Sequence, residues 1–229
     1  MKERLLPLLA GLTFCVFVGI CVYRLKSHIP VYQGKTVKAW LIEFSARGPG
    51  GRQEAEAAFG ALGTNAVPEL ARLLRADDAR WRRLIWSHAT RIPMWLRMPV
   101  LRRVGPLRGY LLRPAAARAL ASLGPVAAAA EPDLTRALQD KVNGTYWEAG
   151  TALGRIGKQS VPDLMFALRD PDTLVRCAAA YGLGEVGPDA APAVPALLQM
   201  QRGGNTNEQY IAARSLSKIG ARAPPGAFP

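Results

Sequence analysis

Apolar positions in this chain recur with a helical period and stop, five times over, at a glycine. Counting back from that Gly, an Ala stands eight residues before it (Ala55, Ala116, Ala149, Ala179, Ala212). A small residue stands five before (Ala58, Ala119, Ala152, Gly182, Ser215) and a bulky one four before (Phe59, Leu120, Leu153, Leu183, Leu216). Leu62, Leu123, Ile156, Val186 and Ile219 immediately precede Gly63, Gly124, Gly157, Gly187 and Gly220. Those places are i, i+3, i+4 and i+7, one face of an α-helix. A Gly just past the last apolar position suits a helix end, where a left-handed residue without a Cβ meets no clash. Small residues on the buried face let neighbouring helices approach closely.

After each of the first four signatures comes a short stretch, then Pro68, Pro132, Pro162 or Pro195 opening a second apolar segment. Proline is tolerated in a first helical turn, where its missing N–H would have no partner anyway. Each unit therefore reads as helix, Gly turn, second helix. The spacing is about 33 residues from Gly124 to Gly157, about 30 to Gly187 and about 33 to Gly220, within the range of helical repeats. From Gly63 to Gly124 the gap is about double, which predicts one unit there without the signature. One helix pair cannot bury its apolar face alone, so the units must stack.

With these residues in view the chain resembles the HEAT-repeat family, including the HEAT-like units named after phycobilin lyases. Leu168-Arg169-Asp170-Pro171-Asp172, then Val175-Arg176 and Ala178-Ala179, carry the resemblance most closely. It implies a structural ladder along the stack in which Asp170 and Arg176 take part. It also implies an all-α fold: a HEAT-like α-solenoid of about five to six helix pairs over residues 53–222; residues 223–229 are read as a disordered tail. Residues 31–42, containing Tyr32, Gly34, Lys35, Trp40 and Leu41, resemble the stretch ahead of the first repeat in bacterial membrane-anchored HEAT proteins. Here Thr36 is placed to cap a short helix that docks Trp40 and Leu41 on the first repeat. Residues 27–52 are read as linker and N-terminal cap, with Ser45 to Arg52 as a Gly-rich hinge.

Leu5 to Tyr23 is an uncharged run long enough to cross a bilayer, between Lys2 and Arg4 on one side and Arg24 and Lys26 on the other. The expectation is a signal anchor in residues 1–26, with one transmembrane helix at 5–23. Bulky Phe14, Phe17, Val18 and Ile20 stand where a cleavage site needs small side chains, which disfavours a cleaved signal. This places the protein in the membrane as a single-pass species, with a slight lean towards an extracytoplasmic solenoid.

Charge changes the picture in one region. The chain of 229 residues has a formal charge of +13, and no Asp or Glu occurs from Ala79 to Ala130. Residues 79–113 are read as a divergent Arg/Trp-rich unit, broken by Pro93, Pro99 and Pro106. Two readings stay open. In one, the tryptophans pack against neighbours and the arginines are solvated. In the other, Arg80, Trp81, Arg82, Arg83, Arg91, Trp95, Arg97, Arg102 and Arg103 bind a polyanion, either nucleic acid or an anionic membrane surface.

The residue types for chemistry are sparse. His28 and His88 have no partner at metal-ligand spacing, and Cys15, Cys21 and Cys177 form no zinc or disulfide pattern. Ser215-Leu216-Ser217-Lys218 matches Ser-x-x-Lys, but Ser215 occupies the small buried position of a repeat helix. No catalytic residue, metal ligand or cofactor is expected. The expected function is a membrane-anchored, non-catalytic scaffold that binds a protein partner, with polyanion binding through 80–113 as the alternative.

Overall fold

The computed structural model describes residues 30–46, 49–76, 88–91, 93–104 and 108–220. A two-stranded antiparallel hairpin, β1 (Val31–Tyr32) and β2 (Lys35–Thr36), leads into α1 (Val37–Ala46). Thr36 Oγ1 accepts the Ala39 N–H at 3.3 Å, and Trp40 and Leu41 are buried. The Trp40 indole donates to the Tyr32 carbonyl at 3.1 Å, which ties the hairpin to the helix.

Helix pairs follow. The first-row helices are α2 (Pro49–Leu62), α5 (Arg108–Leu123), α7 (Thr145–Ile156), α9 (Thr173–Val186) and α11 (Thr206–Ile219). The second row is α3 (Val67–Leu74), α6 (Glu131–Ala137), α8 (Val161–Ala167) and α10 (Val194–Gly203). Between them, in sequence, stands α4 (Met94–Val104). All five closing glycines have positive φ, from +53° at Gly63 to +109° at Gly157. Pro68, Pro132, Pro162 and Pro195 each sit in the first turn of a second-row helix. Helix α2 begins at Pro49, so Pro49, Gly50 and Gly51 are helical rather than part of a hinge.

Each second-row helix leans on the first-row helix of the following pair: α6 on α7, α8 on α9, α10 on α11. Helix α3 leans on α5 in the same way. The stack thus passes directly from α3 to α5. Four pairs and a closing helix stand among the described residues, against the expected five to six pairs.

The single-pass membrane localisation is corrected. Among the described residues no helix is long and apolar enough to cross a membrane. The expected span, Leu5–Tyr23, lies outside the described residues, as do Arg80, Trp81, Arg82 and Arg83 and the tail at 223–229.

Candidate protein-interaction surfaces

What the stack offers a partner depends first on how its first row is fused. A Cβ built on Gly182 in α9 would stand 2.5 Å from the Gly150 carbonyl oxygen in α7. One built on Gly150 would fall against the Ala178 carbonyl, and one on Gly154 against that of Gly182. Farther along, a Cβ on Gly184 would stand 2.9 Å from Ser215 Oγ in α11. Helices α7, α9 and α11 therefore touch along their backbones, a closeness only small residues permit. Ser215, buried in this seam, is a packing residue, and Lys218 of the same four-residue match is paired to Glu185 at 2.5 Å.

A polar ladder locks the loop edge of the stack. Arg113 donates from Nε to the Ala76 carbonyl at 2.7 Å and from Nη1 to Asp140 at 2.9 Å. Gln139 donates to Asp170 at 2.6 Å, and Lys141 pairs with Asp172. Arg176 donates to the Asp170 and Pro171 carbonyls at 2.7 and 2.9 Å, and to Glu208 at 2.6 Å. The run extends from the end of α3 to the start of α11. Arg113 stands eleven residues before Gly124, as Arg176 does before Gly187, so the register of the repeat identifies it. The paired Lys141 ammonium beside Asp172, with the Leu174 N–H, holds that carboxyl below its ordinary range. Glu208 is the N3 residue of a capping box on Asn205 and is buried, so Arg176 compensates a carboxylate withdrawn from water.

The second row is looser, and clefts open between its helices. One, of about 440 Å³, lies among Leu74, Arg75, Arg113, Asp133, Arg136 and Asp140. Its charges answer one another: Asp133 meets Arg75 at 3.3 Å and Arg136 at 2.9 Å. Another, of about 500 Å³, is apolar. Val161, Pro162, Met165, Phe166 and Pro192 line it, with Lys158, Arg169 and Asp189 at the rim. Phe166 is 80% exposed. An aromatic side chain held out over an apolar cleft, rimmed by charge, is the composition of a protein-contact patch.

The outer face of the first row repeats in register. Arg118, Thr151, Tyr181 and Arg214 stand six residues before their closing glycines, and Ser122, Arg155, Glu185 and Lys218 two before. Trp147 and Tyr181 stack across α7 and α9 with ring centroids 4.7 Å apart. Arg214 and Lys218 lie 5.3 and 5.5 Å from the centre of the Tyr181 ring, as cation–π partners. Arg118 donates to Glu148, which raises the guanidinium's proton affinity. Burial pushes the Glu185 carboxyl up, but hydrogen bonds from Lys218 and Tyr181 and the charges of Lys218 and Arg155 outweigh it and hold it below the ordinary value.

The Arg/Trp-rich region is described only in part. Trp95 is 77% exposed, with Met94 and Met98 exposed beside it, so this tryptophan is not packed against neighbours. Arg97 donates to the Thr90 carbonyl at 3.2 Å, and Arg91 ends the short turn before α4. Arg102 and Arg103 continue that helix. Sequence reasoning passed over Phe166, the first-row glycines Gly150, Gly154 and Gly184, and the ladder member Arg113. For the glycines the signal was present as small residues on helix faces. For Phe166 it was a bulky apolar residue on the solvent side of a short helix.

Among known families, PBS lyase HEAT-like repeat matches residues 175–202, which span most of α9 and α10. Comparison with curated proteins finds no match. Among solved structures, an engineered protein is 17% identical, with 80% of this chain and 78% of that one covered and a TM-score of 0.41. The complex of CpcE and CpcF of phycocyanin lyase from Nostoc sp. PCC7120 is 22% identical, covering 84% and 80%, with a TM-score of 0.34. A designed armadillo repeat protein in complex with the peptide (KR)4 is 16% identical, covering 81% and 100%, with a TM-score of 0.35.

Proposed function

We propose that this HEAT-like repeat protein is a non-catalytic scaffold that binds a protein partner. The observation that carries the reading is the Phe166 cleft, an exposed aromatic over an apolar hollow on an otherwise locked stack. Burying Phe166 and the neighbouring Met165 and Pro192 against a partner removes apolar surface from water at about 25 cal/mol per Å². The fused first row and the loop-edge ladder support the same reading, because a rigid support spares the partner the cost of ordering its binding site. The test is capture of partners from the native host on immobilised full-length protein. Wild type is expected to retain a discrete protein that F166D loses, with both proteins giving the same thermal melt. Retention of the same protein by F166D would defeat the assignment of the cleft.

A second reading, polyanion binding, is favoured by the exposure of Trp95 beside Arg91 and Arg97. Single-stranded oligonucleotide binding that weakens steeply with salt and falls in W95A would support it. Salt-independent binding, or none, would remove it.

A further inference from the structure

We propose that the outer face of the first helix row binds an extended acidic segment of a protein partner, laid across α5, α7, α9 and α11. The inference rests on the scaffold reading but uses the face formed by the other row of helices.

Three observations meet there. The first is charge. Arg118, Arg155, Arg214 and Lys218 stand on this face against two carboxylates, Glu148 and Glu185. Those carboxylates are recessed, with side chains 20% and 17% exposed, beneath Arg118 at 40% and Lys218 at 39%. The potential that a partner meets is therefore positive, with the acids serving to position the cations. Arg155 and Arg214 are exposed, and among the described residues neither forms an ion pair with a carboxylate within contact distance.

The second is an aromatic floor. The Trp147 and Tyr181 rings, tilted 37° to each other, bridge two helices between the cationic positions and offer apolar area for the aliphatic parts of a peptide. The third is spacing. Packed helices lie about 8–10 Å apart, and an extended chain rises about 3.3 Å per residue, so roughly three peptide residues pass per helix. Cations on α5, α7 and α11, with Tyr181 standing in their place on α9, then match carboxylates at about every third residue of the partner, with a neutral residue passing over α9. Carboxylates separated by neutral residues suit a face where Glu148 and Glu185 interrupt the cations, better than an unbroken phosphate backbone does.

The experiment is fluorescence anisotropy on the full chain. The probes are a fluorescein-labelled peptide of Glu-Gly-Ser repeats, its Lys-Gly-Ser counterpart and a single-stranded oligonucleotide of equal charge. The Glu-Gly-Ser peptide is expected to bind, to weaken as salt rises, and to lose about tenfold or more in affinity to R155E/R214E. Binding is expected unchanged in F166D, which separates this face from the cleft. Both arginines are exposed, and equal thermal melts of the variant and wild type exclude a folding defect; R155Q/R214Q, with a smaller expected loss, is the second variant. No binding of the Glu-Gly-Ser peptide, or binding that both variants leave intact, overturns the proposal. So does tighter binding of the oligonucleotide that the same variants abolish, which would assign the face to nucleic acid.

Discussion

Replacing one glycine tests the fused first row, because the same substitution has opposite signs at two places in this chain. In a solvent-facing helix interior, Gly to Ala stabilises by about 0.5–1 kcal/mol through helix propensity. Gly60 in α2 is such a position: a Cβ there meets nothing within 4 Å. At Gly182 the new Cβ would stand 2.5 Å from the Gly150 carbonyl oxygen and 3.1 Å from a Leu164 methyl. Ordinary contact begins near 3.4 Å, so α7 and α9 must part by about 0.9 Å at that point. The neighbouring approaches of Gly150 to Ala178 and of Gly154 to Gly182 share the same interface and open with it. Overpacking of this kind costs about 1–3 kcal/mol, and local relief at a backbone oxygen is harder than at a side-chain tip. The propensity gain offsets about 1 kcal/mol of that. G182A is therefore expected to unfold lower than wild type, by about 2–4 °C for each kcal/mol lost, and G60A at the same temperature or higher. Thermal melts followed by far-UV circular dichroism give both shifts. A G182A protein as stable as G60A would refute backbone contact between α7 and α9.

Two further outcomes follow from the ladder and the first-row face. R176A strands the buried Glu208 carboxylate with only the Asn205 N–H and is expected to cost about 3 kcal/mol in urea unfolding, part of which E208Q in the same chain restores; a cost near zero would show the pair to be idle. Glu185 is held below the ordinary glutamate value of 4.5, so its contribution to stability is present above about pH 4.5 and is lost as pH falls through the lower native value. The difference in stability between wild type and E185Q should therefore shrink on acidification across that window, and a difference independent of pH would contradict the ion pair with Lys218.

Much of the architecture is legible in residues because two local rules coincide. Gly at a positive-φ helix end and Pro in the next first turn punctuate the chain wherever a pair turns, as at Gly157 and Pro162. The small positions, Ala152 and Gly182 among them, mark the faces where helices meet. Two features depend on tertiary contact and left no periodic trace. The direct packing of α3 on α5 joins helices from either side of the long gap, which the spacing of the glycines does not predict. Helix α2 begins in a Gly-rich stretch that propensity assigns to a hinge, and its burial of Ala55, Ala58 and Phe59 overrides that preference. The interaction surfaces were the least legible. Phe166 matters through the cleft around it, and Tyr181 through a ring contributed by the preceding pair. The Arg/Trp-rich stretch drew attention by charge, yet Arg113 within it serves the ladder.

Scaffolding through the Phe166 cleft is tested most directly by placing a photoreactive amino acid at position 166 of the full chain, with position 60 as the control, and irradiating in the native host. A discrete, saturable protein adduct from position 166 that position 60 does not give is the expected result. The same adducts from both positions, or none from position 166, would contradict the account.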